Sequence, residues 1–149
     1  MFKRILVPTD GSSLARKAIR QAVQLALGLG ASITGVYVAA PFVRTTYTEG
    51  GARYAAGFNA AGYKKLVEAD ANKALQVLER TARIANVPCR TRLVTDTQPW
   101  RGILRTARAA RCDAIVMSTH GRSALAGLIL GSETVHVLAR SRIPVLVVR

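Results

Sequence analysis

The chain has 149 residues, half of them apolar, which suits one domain with a buried core and excludes a chain disordered throughout. Its 22 Lys and Arg stand against 8 Asp and Glu, a formal charge of +14, so its partners are expected among anions such as nucleotides, nucleic acid or acidic surfaces. No apolar run approaches the roughly 18 residues of a membrane span, and the opening MFKRILVPTDG lacks a signal peptide's apolar stretch and cleavage site, so a cytoplasmic protein without membrane attachment is expected.

The first apolar run, Ile5-Leu6-Val7, is short and β-branched and ends on the polar turn Pro8-Thr9-Asp10-Gly11-Ser12. Residues 13–29 follow with Leu14, Ala18, Ala22, Leu25, Ala26 and Leu29 on one helical face. Ser12 or Ser13 serves as N-cap, and Gly28 or Gly30 as stop. A second strand is predicted over Ile33–Val38. Residues 40–61, APFVRTTYTEGGARYAAGFNAA, have no clean period. A loop of that length reads as a flexible flap beside a binding site or as a disordered insertion.

Residues 62–86 return to helical spacing with Val67, Ala71, Ala74, Leu78 and Ala85, ending before Asn86-Val87-Pro88. A third strand covers Arg90–Val94. Residues 99–111 place Ile103, Leu104, Ala107 and Ala110 on one side of a helix and Arg101, Arg105 and Arg108 on the other. A fourth strand runs over Asp113–Met117, a last helix from about Ser132 to Ala139, and a final apolar run over Ile143–Val148. Short apolar runs alternating with helices form a single α/β domain over 1–149, with a parallel sheet covered by helices on both faces. Neither an internal repeat nor a second domain is visible.

In open parallel sheets ligands bind beyond the carboxyl ends of the strands, where strand order reverses. The turns after the first and fourth strands therefore carry the candidate chemistry. Asp10 can accept from ribose hydroxyls or hold a divalent ion, or it can serve as a cap for the helix that follows. Gly131-Ser132 opens the last helix, whose terminal N–H groups and partial positive charge favour a phosphate. The hydroxyls of Ser132 and Thr134 can add hydrogen bonds, and Ser132 can equally be a plain N-cap.

Other chemistries lack their residues. His120 and His136 show no metal-ligand spacing with Cys89 and Cys112. A Walker loop, G-x4-G-K-[ST], and a nucleophile elbow, G-x-S-x-G, are both missing. The two cysteines read as buried thiols, with a disulfide between them as the alternative. Trp100 reads as a packing anchor or a stacking surface, His136 as a surface or interface residue. The arginine row 101, 105, 108 reads as a solvated face or a dock for an anionic partner.

The chain resembles the universal stress protein family over nearly its whole length. The opening strand into P-T-D-G-S-S, the stretch Asp113-Ala-Ile-Val-Met117 followed by S-T-H-G-R-S-A-L-A-G-L-I-L-G-S, and the terminal Ile143–Val148 carry the likeness. The resemblance implies a five-stranded parallel sheet in the order 3-2-1-4-5, a Rossmann-like fold of the adenine nucleotide alpha hydrolase type, with ATP between the first and fourth strands. It implies that Pro8, Thr9 and Asp10 line the adenosine end, that the Val38 backbone meets the adenine, and that Met117 lies against the nucleoside. Gly121, Arg122, Gly131, Ser132 and Thr134 would surround the phosphates, Ser118 would belong to the nucleotide site as well, and Mg²⁺ or Mn²⁺ would be associated with the nucleotide near Asp10. Nucleotide-binding members carry G-x2-G-x9-G-[ST]; this chain has S-x2-G-x9-G-S, with Ser118 in place of the first glycine. A homodimer through the terminal strand 144–148 is also implied. The expected role is a nucleotide-binding regulator in the stress response, with ATP hydrolysis slow and metal-dependent at most. The alternatives are a stress protein acting through protein contacts without nucleotide, and a basic nucleic-acid-binding module.

Overall fold

Strand and helix alternate along the chain in the computed structural model, which describes residues 1–42, 59–119 and 130–149. The elements are β1 (Arg4–Pro8), α1 (Ser13–Leu29), β2 (Ser32–Ala39), α2 (Ala60–Ile84), β3 (Cys89–Thr95), α3 (Pro99–Ala109), β4 (Ala114–Ser118), α4 (Ser132–Arg140) and β5 (Val145–Val148). The strands form one parallel sheet in the order β3-β2-β1-β4-β5, as the family resemblance implies.

The ends of the elements follow local chemistry. The Ser12 side chain accepts from the Ala15 N–H at the start of α1, and Gly30 closes that helix in the left-handed region at φ 62°, a conformation that costs glycine little. Helix α2 begins two residues before the predicted 62, because the Asn59 side chain accepts from the Gly62 N–H and caps it there. The 40–61 loop is therefore shorter at its far end, and its residues 43–58 lie outside the described residues. Helices α2 and α3 both end earlier than the periodicity suggests, and Asn86 (φ 55°) and Arg111 (φ 52°) turn left-handed just beyond them.

Sheet alternation divides the core in two. Ile5, Val7, Ile33 and Val116 pack against Ile19, Ala22, Val23 and Ala26 of α1 and Leu78 and Ala82 of α2. Leu6, Val36, Ile115 and Met117 face the other way, onto Ile103 and Ala107 of α3 and Val137 of α4. Period-two placement of side chains thus sends neighbouring residues of β1 into opposite cores. Ile5, Leu6 and Val7 are all 0% exposed, and such burial stabilises by roughly 1.5–3 kcal/mol per side chain. Helix α3 comes close over β2 because Gly102 has no side chain. A Cβ there would stand 2.7 and 2.9 Å from the two methyls of Val38.

Asp113 precedes β4 instead of opening it. Its carboxylate accepts the N–H of Lys3 and of Arg4, both at 2.9 Å, tying the starts of β1 and β4 together. Burial pushes this carboxyl up, but those two amides, its own N–H and the Arg4 guanidinium together draw it below its ordinary value of 3.8. A depressed folded-state pKa adds stability above the unfolded value, and that stability is lost as pH falls through the folded one. Asp113→Asn is therefore expected to be less stable than the native chain at neutral pH, with the gap closing as the pH drops below about 3.8. Urea midpoints across that range check it.

Candidate functional site

Strand β1 is the point at which strand order reverses. It pairs with β2 over five residues, from Arg4↔Ser32 to Pro8↔Val36, but with β4 only at Ile5↔Ala114 and Leu6↔Ile115. Val7–Pro8 and Val116–Ser118 continue past the last β1–β4 pair, where Pro8 has no N–H to extend the ladder, and the switch-point crevice of an open parallel sheet falls at these carboxyl ends. Continued along both strands, the register sets Thr9 level with Ser118.

The turn after β1 is wound on its own side chains. Thr9, buried at 7% exposure, donates its N–H to the Val36 carbonyl and accepts the Gly11 N–H on its hydroxyl. The Asp10 carboxylate accepts the Ser12 N–H at 2.9 Å, closing the turn two residues before the N-cap, while the helix itself is capped by the Ser12 side chain. Gly11 at φ 80° makes the bend, which a side chain would strain. Arg16 then reaches back to the Gly11 carbonyl. Asp10 is held at the mouth of the crevice, half-buried.

The other wall is the end of β4 with the start of α4. Gly131 is the N-cap of α4, and its N–H donates to the Thr119 carbonyl at 2.7 Å. Its carbonyl accepts from Val135, so the N–H groups of Ser132, Glu133 and Thr134 are the ones that helix geometry leaves unbonded. Among the described residues no side chain caps this turn, in contrast to Ser12 on α1 and Asn59 on α2. Thr134 has a different place from the one expected of it. It is 2% exposed, and its hydroxyl faces the carbonyls of Ser118 and Thr119 at 3.0 and 3.1 Å. Its single proton is committed to the end of β4, so it fastens the helix to the strand in place of donating to a phosphate.

Val38 and Met117 complete the surroundings. Along β2 the even-numbered residues bond toward β1 and the odd-numbered ones toward β3: Ser32 N–H meets the Lys3 carbonyl, Ile33 N–H the Pro88 carbonyl, and the Val36 carbonyl the Thr9 N–H. Val38 falls in the first set, two residues beyond the last β1 pair, so its backbone is aimed past the end of β1 into the crevice. Met117 is buried in the core under α3 and α4. Its side chain packs there, leaving its backbone at the crevice wall. Gly121 and Arg122, with His120, lie outside the described residues.

One arrangement escaped sequence reasoning. Glu133, in the first turn of α4, turns its carboxylate to the Trp100 N–H at 2.7 Å and so caps α3 in place of its own N-cap Gln98, which makes no side-chain cap bond. The negative charge is thereby drawn toward α3 and away from the amides of its own helix. The Trp100 ring packs on the α3–α4 core, with the Arg140 guanidinium 4.7 Å from its centroid and His136 beside it. This is the packing role of Trp100, and it makes His136 a half-buried contact of that ring. A glutamate two residues after an N-cap glycine, with a second helix beginning uncapped, was the available signal.

A family model described as the universal stress protein family matches residues 1–149. The chain belongs to this family. A universal stress protein of Thermus aquaticus is 31% identical over 157 residues, covering the whole of both chains. Among solved structures, the universal stress protein UspA of Lactobacillus plantarum superposes with a TM-score of 0.76 at 23% identity, covering 99% of this chain and 97% of that one. The universal stress protein of Archaeoglobus fulgidus solved in complex with dAMP superposes with a TM-score of 0.69 at 19% identity, over 99% and 98% of the two chains. Both share the fold described above.

Replacing Thr134 by Val keeps its shape and removes its proton, leaving two buried carbonyls without that donor. The variant is expected to lose about 1–3 kcal/mol in chemical denaturation, and Thr134→Ser to lose less.

Proposed function

We propose that this universal stress protein binds an adenine nucleotide, ATP with a divalent cation, in the crevice between the carboxyl ends of β1 and β4, and that it acts as a cytoplasmic regulator in the stress response. The observation that carries this reading is the first turn of α4, which opens on a glycine and which no side chain among the described residues caps, set beside the end of the β1–β4 ladder. Three amides and the positive end of a helix favour phosphate oxygens. The dAMP complex of the Archaeoglobus fulgidus protein, which has the same fold, is in keeping with an adenine nucleotide as the ligand.

The residues present fit such a ligand. Ser132, through its amide and hydroxyl, and the amides of Glu133 and Thr134 take the phosphates, with Gly131 allowing the backbone to come close. Asp10 accepts from the ribose or shares a Mg²⁺ or Mn²⁺ ion, which when bound neutralises phosphate charge. Pro8, Thr9 and the Val38 backbone border the nucleoside, and Met117 supports it from the core. Ser118, standing where nucleotide-binding relatives have glycine, is the last residue of β4, and its carbonyl is already held by Thr134.

The second part of the proposal is a homodimer through β5. This edge strand presents Leu146 at 48% exposure, and α4 beside it presents Val135 and Leu138. A bare apolar edge invites pairing with a twofold mate.

Calorimetric titration with ATP and Mg²⁺ is expected to show saturable binding by the native chain and at least a tenfold weaker Kd in Gly131→Val, whose branched side chain fills the approach to the amides, with the circular dichroism spectrum unchanged. Absence of binding by the native chain refutes the nucleotide reading. In sedimentation velocity the native chain is expected to run as a dimer and Leu146→Asp as a monomer; a native monomer refutes the second part.

A further inference from the structure

The positive charge is not evenly placed. From Ala74 to the end the chain has 12 arginines, no lysine and four acids, Glu79, Asp96, Asp113 and Glu133. Each acid is engaged: Glu79 with the Thr91 hydroxyl, Asp96 with Arg105, Asp113 with the amides of Lys3 and Arg4, and Glu133 with the Trp100 N–H. The arginines lack that balance, and five of them converge on one face.

Strand β3 is the sheet edge opposite β5, and helix α3 lies over β2, not over β3. Register places Arg90 beside Thr34 and Arg92 beside Val36, and Val36 belongs to the core beneath α3. Both arginines therefore leave the sheet on the α3 side, where they are exposed. Arg105 of α3 reaches across to the Thr95 carbonyl at 3.0 Å and to Asp96 at 3.3 Å, which turns its row of the helix toward β3. Arg101 and Arg108, four residues before and three after, share that row and are exposed. Arg4, whose guanidinium donates to the Arg111 carbonyl, leaves β1 on the same side of the sheet, since its neighbour Ile5 faces the other core.

We propose that this face of β3 and α3 binds the phosphate backbone of double-stranded nucleic acid. Guanidinium groups match phosphate oxygens two at a time, which lysine ammonium groups do not. Asp96 offsets Arg105, so four unbalanced charges, Arg90, Arg92, Arg101 and Arg108, remain to meet phosphates. Among the described residues this face carries no aromatic ring: Trp100 turns to α4, and Tyr37 falls on the other side of the sheet. A single strand would need rings on which its bases stack, so a duplex backbone is the better match. The contact reads charge and shape without base sequence.

The test is fluorescence anisotropy of a labelled DNA duplex of about 20 base pairs across a salt series, in which four released counterions give a log–log slope of about −3.6 and a loss of roughly 100-fold between about 50 and 200 mM salt. The triple variant Arg92→Ala, Arg101→Ala, Arg108→Ala is expected to bring the slope to about −1. A matched triple on α2, which covers the opposite sheet face, Lys65→Ala, Lys73→Ala, Arg80→Ala, keeps the native slope. Both are expected to keep the native circular dichroism spectrum and ATP titration, so the outcome is independent of the nucleotide crevice. The proposal is overturned by no duplex binding at 50 mM salt, by equal losses in the two triples, by tighter binding of a single strand of the same length, or by binding to phosphatidylserine vesicles without binding to the duplex.

Discussion

Strand β1 is the constraint on which the rest of this protein depends. Its three central residues are fully buried and alternate between the two cores, and its backbone is shared between β2 on one side and β4 on the other. Because it is the switch point, the chain must leave it through a turn that no neighbouring strand can cover. The self-bonded Thr9–Ser12 segment meets this need, since its polar side chains satisfy the amides that the sheet releases. A site arises here as a consequence of topology, before any ligand is considered.

The second wall is joined to the first through α4. Two bonds to the end of β4, from the Gly131 amide and the Thr134 hydroxyl, hold the helix mouth in place, and Glu133 is drawn off to α3. The same residues that fasten the helix thereby leave its first amides uncapped among the described residues. Stability and binding are separable in this arrangement. The Thr134 hydroxyl and the Gly131 amide are spent on the end of β4, whereas the proposed phosphate contacts call on the amides of Ser132, Glu133 and Thr134.

Much of the fold was legible in the sequence because it rests on local rules. Five short apolar runs alternating with amphipathic stretches are enough to imply the parallel sheet, and Ser12 and Gly30 mark the ends of α1 by their chemistry. The strand order came only with the family resemblance, since alternation alone does not rank the strands. Within the site, the strand-end turns and Gly131 could be found from the positions of small residues. The task of Thr134 could not, because a buried hydroxyl bonded to carbonyls sixteen and fifteen residues away looks like any threonine in a first helical turn. Glu133 was hidden for the same reason: its partner is on another helix. The start of α2 was missed because Asn59, its cap, sits at the end of a stretch without period.

The two basic regions of the molecule are distinct. The helix mouth at the switch point offers backbone amides at the carboxyl end of the sheet, whereas β3 and α3 present guanidinium groups along an edge. A single experiment that separates them also tests the central claim. Amide chemical shifts followed during titration with MgATP are predicted to move most at Asp10, Val38, Ser118 and Ser132–Thr134, around the carboxyl ends of β1 and β4. An unchanged spectrum, or shifts confined to β3 and α3, would contradict the account.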